Sequence, residues 1–206
     1  MDDRKEFLTK VYEQMFNDID RHHKIVWETM GVLIGSFAVL ALVEKNIISI
    51  DMATGLIVLL ACWVLSHVYD SNYWYNRNLV IIANIERQFL LKEDLKNIHY
   101  YFGEHRGKNS IQTSLKIQRY FCLTVIILFI IYHLSHSIFP GFNLDFKIEN
   151  VRLEKIIPYV ALILGMFFVR WIKNKRIKDY DEFRKNSPGI FIDTTGITYG
   201  GGHPTG

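Results

Sequence analysis

The feature that most constrains this chain is YFCLTVIILFIIYHLSHSIF, 20 residues from Tyr120 to Phe139 without one formal charge. At about 1.5 Å of rise per residue, a helix of that length matches a hydrocarbon core of about 30 Å. Three further apolar blocks accompany it. IVWETMGVLIGSFAVLALV runs from Ile25 to Val43 with Glu28 near its start, and IISIDMATGLIVLLACWVLSHVY runs from Ile47 to Tyr69 with Asp51 near its start. The fourth, IIPYVALILGMFFVRWI, runs from Ile156 to Ile172 with Arg170 near its end, where a long side chain can reach the headgroups.

Half of the 206 residues are apolar and 22% are charged, an average that would suit one soluble domain. In such a domain the apolar residues recur at helix or strand period, whereas here they are gathered into blocks, which argues against an ordinary globular enzyme. The 14 Phe, 11 Tyr and 4 Trp exclude a disordered chain, and only two Cys exclude a disulfide scaffold. Blocks one, two and four are also short enough to be buried helices of a soluble all-α protein. Interface chemistry favours the membrane: Trp27, Tyr69, Tyr73, Trp74, Tyr75, Tyr120, Tyr159 and Trp171 stand at or just beyond block ends, where amphipathic rings prefer the headgroup region.

The expected fold is therefore an all-α integral membrane protein with four transmembrane helices. Residues 1–24, 70–119 and 173–206 hold 19 Lys and Arg, against four in 44–46 and 140–155, so both termini and the central segment are expected on the cytoplasmic side. The acidic start (Asp2, Asp3, Glu6) and the late first block speak against a cleaved signal peptide.

Five segments follow from this reading: a cytoplasmic amphipathic helix (1–24), a transmembrane hairpin (25–69), a cytoplasmic helical region (70–119), spans three and four with an outer loop at 140–155 (120–172), and a basic, Gly-rich tail (173–206). Leu8, Val11, Tyr12, Met15 and Ile19 line one face of the first helix, whose mixed charge suits packing on another helix better than lying on lipid. Leu79, Ile82, Ile85 and Phe89 recur at helical spacing in a stretch free of Pro and Gly from Leu56 to Phe102, so the second span should continue as one long cytoplasmic helix. The turn at Gly103–Ser110 should end it, and Ile111–Arg119 should lead as an amphipathic stretch into span three. In the tail, Ile190–Tyr199 reads as two short strands joined by a tight turn.

Candidate functional residues are few. Thr124, His133, Ser135, His136 and Ser137 put polar groups on span three, with the two histidines three residues apart and so on one helix face, suited to lining a wet path. Local hydrogen bonding near the headgroups accounts for them equally, and no third ligand at a convincing spacing suggests a metal. Tyr100, Tyr101, His105, Arg106 and Lys108 set rings beside cations, a combination that stacks bases and neutralises phosphates, although a solvated turn has the same composition. Gly31 and Gly35 form a GxxxG that allows close helix approach, either inside the chain or between copies. His22 and His23 are expected to be solvated, and Cys62 and Cys122 to be small apolar residues within spans. No GxSxG, GxxxxGK[ST], GxGxxG or paired-Cys motif is present, so neither enzyme activity nor a cofactor is expected.

The architecture of residues 25–102, a tight two-span hairpin whose second helix continues into the cytoplasm, resembles the SLATT-type small membrane effectors of bacterial nucleotide-signalling defence. The full four-span chain is similar in outline to the membrane effector of Hailong-type anti-phage systems. The resemblance implies an oligomeric ion channel or membrane-disrupting effector in a bacterial inner membrane, gated by a nucleotide or oligonucleotide. A non-catalytic scaffold subunit that recruits a cytoplasmic partner is the alternative, and an enzyme of the membrane interface comes third.

Overall fold

The structure is a computed structural model and describes residues 2–91, 94, 108–139 and 153–188. Among these residues it is helical, with no strand: α1 (Asp2–Gly35), a 3₁₀ turn (Ser36–Ala38), α2 (Val39–Glu44), α3 (Ile50–Phe89), α4 (Thr113–His133), a π turn (Leu134–Ile138), a second 3₁₀ turn (Leu153–Ile156) and α5 (Ile157–Asn186). Four helical stretches are long and apolar enough to cross a membrane: Asp3–Glu44, Ile50–Phe89, Thr113–Ile138 and Leu153–Asn186. The amphipathic segment and the first span are one helix, and the second span runs on without a break to Phe89, a 40-residue helix of about 60 Å. It ends there and not at the expected turn at Gly103: Leu90 and Leu91 are non-helical, and the N–H of Leu91 donates to the Asp94 carboxylate (2.8 Å). Pro158 is tolerated in the first turn of α5, where its missing N–H would have had no helical acceptor. The expected strands at 190–199 lie outside the described residues.

The chain divides into two compact units. One, here the span unit, comprises 25–70 and 111–174; the other, the extension unit, comprises 1–24, 71–110 and 175–206.

In the span unit α3 is the central helix: 61% of its most apolar window is buried, against 22% for each of the other three. Its inward face (Ile57, Val58, Val64, Leu65) shares a core with Val26 and Leu33 of α1, Cys122 and Val125 of α4 and Val169 of α5. Two glycines set how closely α5 approaches α3. A Cβ on Gly165 would stand 2.7 Å from Cys62 Sγ, and one on Gly55 would stand 2.9 Å from Ile157 Cγ2. Gly31 and Gly35 behave differently, for a Cβ on either would meet nothing within 4 Å. The GxxxG is thus not the internal seam of this chain. Ile127, Leu128, Ile131, Ile163, Leu164 and Phe167 are exposed on α4 and α5, a surface rare on a soluble monomer and ordinary for helices facing lipid.

In the extension unit the first half of α1 packs antiparallel on the second half of α3. Ile19 joins Leu79, Ile82 and Ala83 in a small core flanked by Tyr12, Met15 and Phe16, so the apolar stripe read from the sequence faces a partner helix. Polar contacts keep the register: Arg4 donates to Gln88 (3.3 Å), Tyr12 to Glu86 (3.1 Å) and Asn78 to Asp18 (2.8 Å). The end of α5 adds the fully buried Tyr180, edge-on to Tyr73.

Candidate functional site

The turn between α2 and α3 is built by short-range rules. Asn46 adopts φ 56°, a left-handed conformation that Asn tolerates, while its N–H donates to Val43 O (2.9 Å) and that of Ile47 to Leu42 O (2.9 Å). This is a Schellman closure of α2. Ser49 then caps α3, its Oγ accepting from the N–H of Met52 at 3.2 Å. Asp51 is thereby placed in the first turn of α3, where the helix dipole favours an acid.

Asp51 does not stand alone. His133, the last residue of α4 before the π turn, is fully buried, and its Nε2 lies 2.7 Å from Asp51 Oδ1. On the other side of the ring, Nδ1 lies 2.9 Å from the hydroxyl of Tyr159 near the start of α5. An acid, an imidazole and a phenol therefore join the ends of three helices in the span unit. With a neutral ring, Nε2–H donates to the carboxylate and Nδ1 accepts from the Tyr159 hydroxyl. With a protonated ring both N–H groups donate, one to the carboxylate and one to the phenol oxygen.

Other buried polar groups of the span unit are mostly satisfied locally. The hydroxyls of Thr29, Ser36 and Ser66 donate to carbonyls of their own helices, Val26, Leu33 and Cys62 respectively. Thr54 Oγ1, one turn along α3 from Asp51, and Gln118 Oε1 are buried with no hydrogen-bond partner among the described residues.

Of the residues proposed to line a path on span three, His133 alone joins this network. Thr124 is exposed and lies nine residues earlier, half a turn round the helix from His133. Ser135 Oγ donates to Tyr132 O (2.9 Å), and the exposed His136 stacks on Tyr132 with ring centroids 5.5 Å apart. Ser137 contributes its carbonyl to Lys155 Nζ (2.8 Å). The expectation of a common face for the two histidines fails because the α-helix gives way to a π turn directly after His133, which leaves His133 inside and His136 outside. Asp51 and Tyr159 went unrecognised as partners of His133. A lone acid inside an apolar block was the available signal for Asp51; nothing local marked Tyr159 as other than an interface ring.

Tyr100, Tyr101, His105 and Arg106 lie outside the described residues, and Lys108 is exposed. Beside it, Asn109 is a hub of the extension unit. Its Oδ1 accepts from Asn72 Nδ2 (2.9 Å) and Asn76 Nδ2 (2.8 Å), and its own Nδ2 donates to Arg176 O (3.4 Å). Nearby rings and cations are already engaged with one another. His22 stacks on Trp74 at 5.4 Å and 7°, Arg77 lies 5.1 Å from that ring, and Arg176 lies 4.7 Å from Tyr73 while pairing with Asp179 at 2.9 Å. His22 and His23 are half-buried in ring stacks, contrary to the solvated positions expected, because the α1–α3 pairing brings Trp74 and Tyr75 to them. Cys62 and Cys122 are buried free thiols, and among the described residues no three His, Cys, Asp or Glu are grouped to hold a metal ion.

No protein family, curated protein or solved structure matches this chain.

Proposed function

We propose that this chain is a multi-pass membrane protein that works as an oligomeric channel or membrane-disrupting effector, held closed until a nucleotide or oligonucleotide acts on its cytoplasmic part. The reading places both termini in the cytoplasm of a bacterial cell and the four spans in the inner membrane, as the basic residues and the resemblance to defence effectors suggest. The Asp51–His133–Tyr159 network carries it. Ionisable groups among membrane-spanning helices are costly and mark ion paths, proton relays or switches. Here they bridge three helix ends, which suits a latch on a closed bundle. In each copy His133 is sealed within the chain, so conduction requires either rupture of the latch or a path between copies.

A scaffold role has its own support, since His22, Trp74 and Arg77 of the extension unit are engaged with one another on a built helical surface. Proteoliposomes carrying the full chain and an ion-sensitive dye separate the two. Flux on addition of a nucleotide or oligonucleotide from a broad panel is expected, and His133→Leu should alter its threshold. Absence of flux under every member of the panel would falsify the channel reading and leave the scaffold.

A further inference from the structure

The span unit contains a half-open groove of about 620 Å³ between the end of α2, the start of α3 and the last turns of α4. Its walls are mostly apolar, formed by Leu40, Val43, Ile50, Leu128 and Phe129, together with Tyr132. That volume lies in the range of sites that bury a small ligand or one chain of a larger one. One charged group, Glu44, reaches it.

Glu44 is the last residue of α2, held there by the Schellman turn that Asn46 closes. It is exposed, and among the described residues it has no hydrogen bond or ion pair. Lys45 follows it on the same turn and is exposed as well. A polar turn between two membrane-spanning helices sits at headgroup depth, so the apolar groove is lined by one carboxylate, with Lys45 next to it in the chain, at the level where lipid headgroups lie. A bare alkyl chain would leave the carboxylate unused, and an anionic headgroup would be repelled by it.

We infer that this groove seats one acyl chain of an aminophospholipid, a zwitterionic lipid with a primary ammonium, whose ammonium pairs with Glu44 and whose phosphate faces Lys45. A primary ammonium supplies N–H donors that a quaternary one lacks, which gives the site a basis for choosing between two headgroups of equal charge. This is independent of any gating role of the chain.

Native mass spectrometry of the full-length protein in detergent tests it. The protein is equilibrated with equal amounts of phosphatidylethanolamine, phosphatidylcholine and phosphatidylglycerol bearing identical acyl chains. Retention of phosphatidylethanolamine is expected to exceed that of the other two by about three- to fivefold, the range open to one exposed charge pair. Glu44→Gln should reduce it to the phosphatidylcholine level. Leu128→Trp, at a position 59% exposed and therefore tolerant of a larger side chain, should obstruct the groove with an indole ring and reduce the preference with Glu44 intact. Equal retention of the three lipids by the wild type overturns the proposal, as does a preference that survives Glu44→Gln. A preference lost in Glu44→Gln but kept in full in Leu128→Trp overturns the groove as the seat of the chain.

Discussion

Asp51, His133 and Tyr159 join three helices of the span unit, while Asn72, Asn76 and Asn109 join segments of the extension unit, and the two networks solve the same problem with different chemistry. Both give buried polar groups partners on a separate segment of the chain, as is required where such groups leave water, although Asn76 Oδ1 is buried without one among the described residues. The amide network is neutral in every state and acts as a splice between α3 and the segment that precedes α4. The other contains an acid and an imidazole among apolar side chains, so removing His133 leaves the Asp51 carboxylate without its partner. The titratable network is the costlier to assemble and the more sensitive to change, which is why the functional reading rests on it.

That contrast orders the expected effects of substitution. His133→Leu should be the most damaging, lowering stability by about 3–5 kcal/mol because the Asp51 carboxylate loses its partner. Replacing both members, Asp51→Leu with His133→Leu, should recover most of that loss, and both are read from thermal unfolding in detergent. A double variant no better than the single one would show that geometry rather than charge compensation is at stake.

Glycine seams come next. Gly165→Ala should cost about 1–3 kcal/mol through overpacking against Cys62, whereas Gly35→Ala, with open space around it, should be neutral or stabilising by up to about 1 kcal/mol. Loss of oligomer in Gly35→Ala at unchanged monomer stability would show that the open glycine face meets a second copy; native mass reads this directly.

Asn109→Ala should cost about 1–2 kcal/mol, since it removes the side-chain acceptor shared by Asn72 and Asn76, whose amides keep only the backbone carbonyls of Asn109 (3.5 Å) and Ser110 (3.0 Å). An effect as large as that of His133→Leu would erase the distinction between the networks. Glu6→Gln should be smallest, below about 0.5 kcal/mol, because its pair with Lys10 is exposed on both sides, 65% and 70%. Chemical denaturation at two salt concentrations checks this, with no difference expected at high salt.

Four apolar helices, the stripe on the first one and the continuation of the second span past its apolar block were legible from the chain, but its end at Phe89, short of the Gly103 turn, was not. Period and block length are local properties, and the residues that show them sit within a few turns of one another. The turn at Glu44–Ser49 was legible as a tight hairpin for the same reason. What the sequence left open were the neighbours. Periodicity shows that a residue faces inward but not what it faces, so the sequence separations of 82 from Asp51 to His133 and 26 from His133 to Tyr159 hid the network that matters most.

The same limit applied to glycine: the GxxxG was visible, yet Gly55 and Gly165, in no recognisable pattern, form the closest packing. By itself, then, the sequence determined that this chain makes long helices with apolar spans, because local apolar density and helix period specify that much. Only the tertiary structure decided that His133 turns inward to Asp51 and Tyr159 while His136, one turn later, points away. Which helices meet, and in what register, depends on packing across the whole unit.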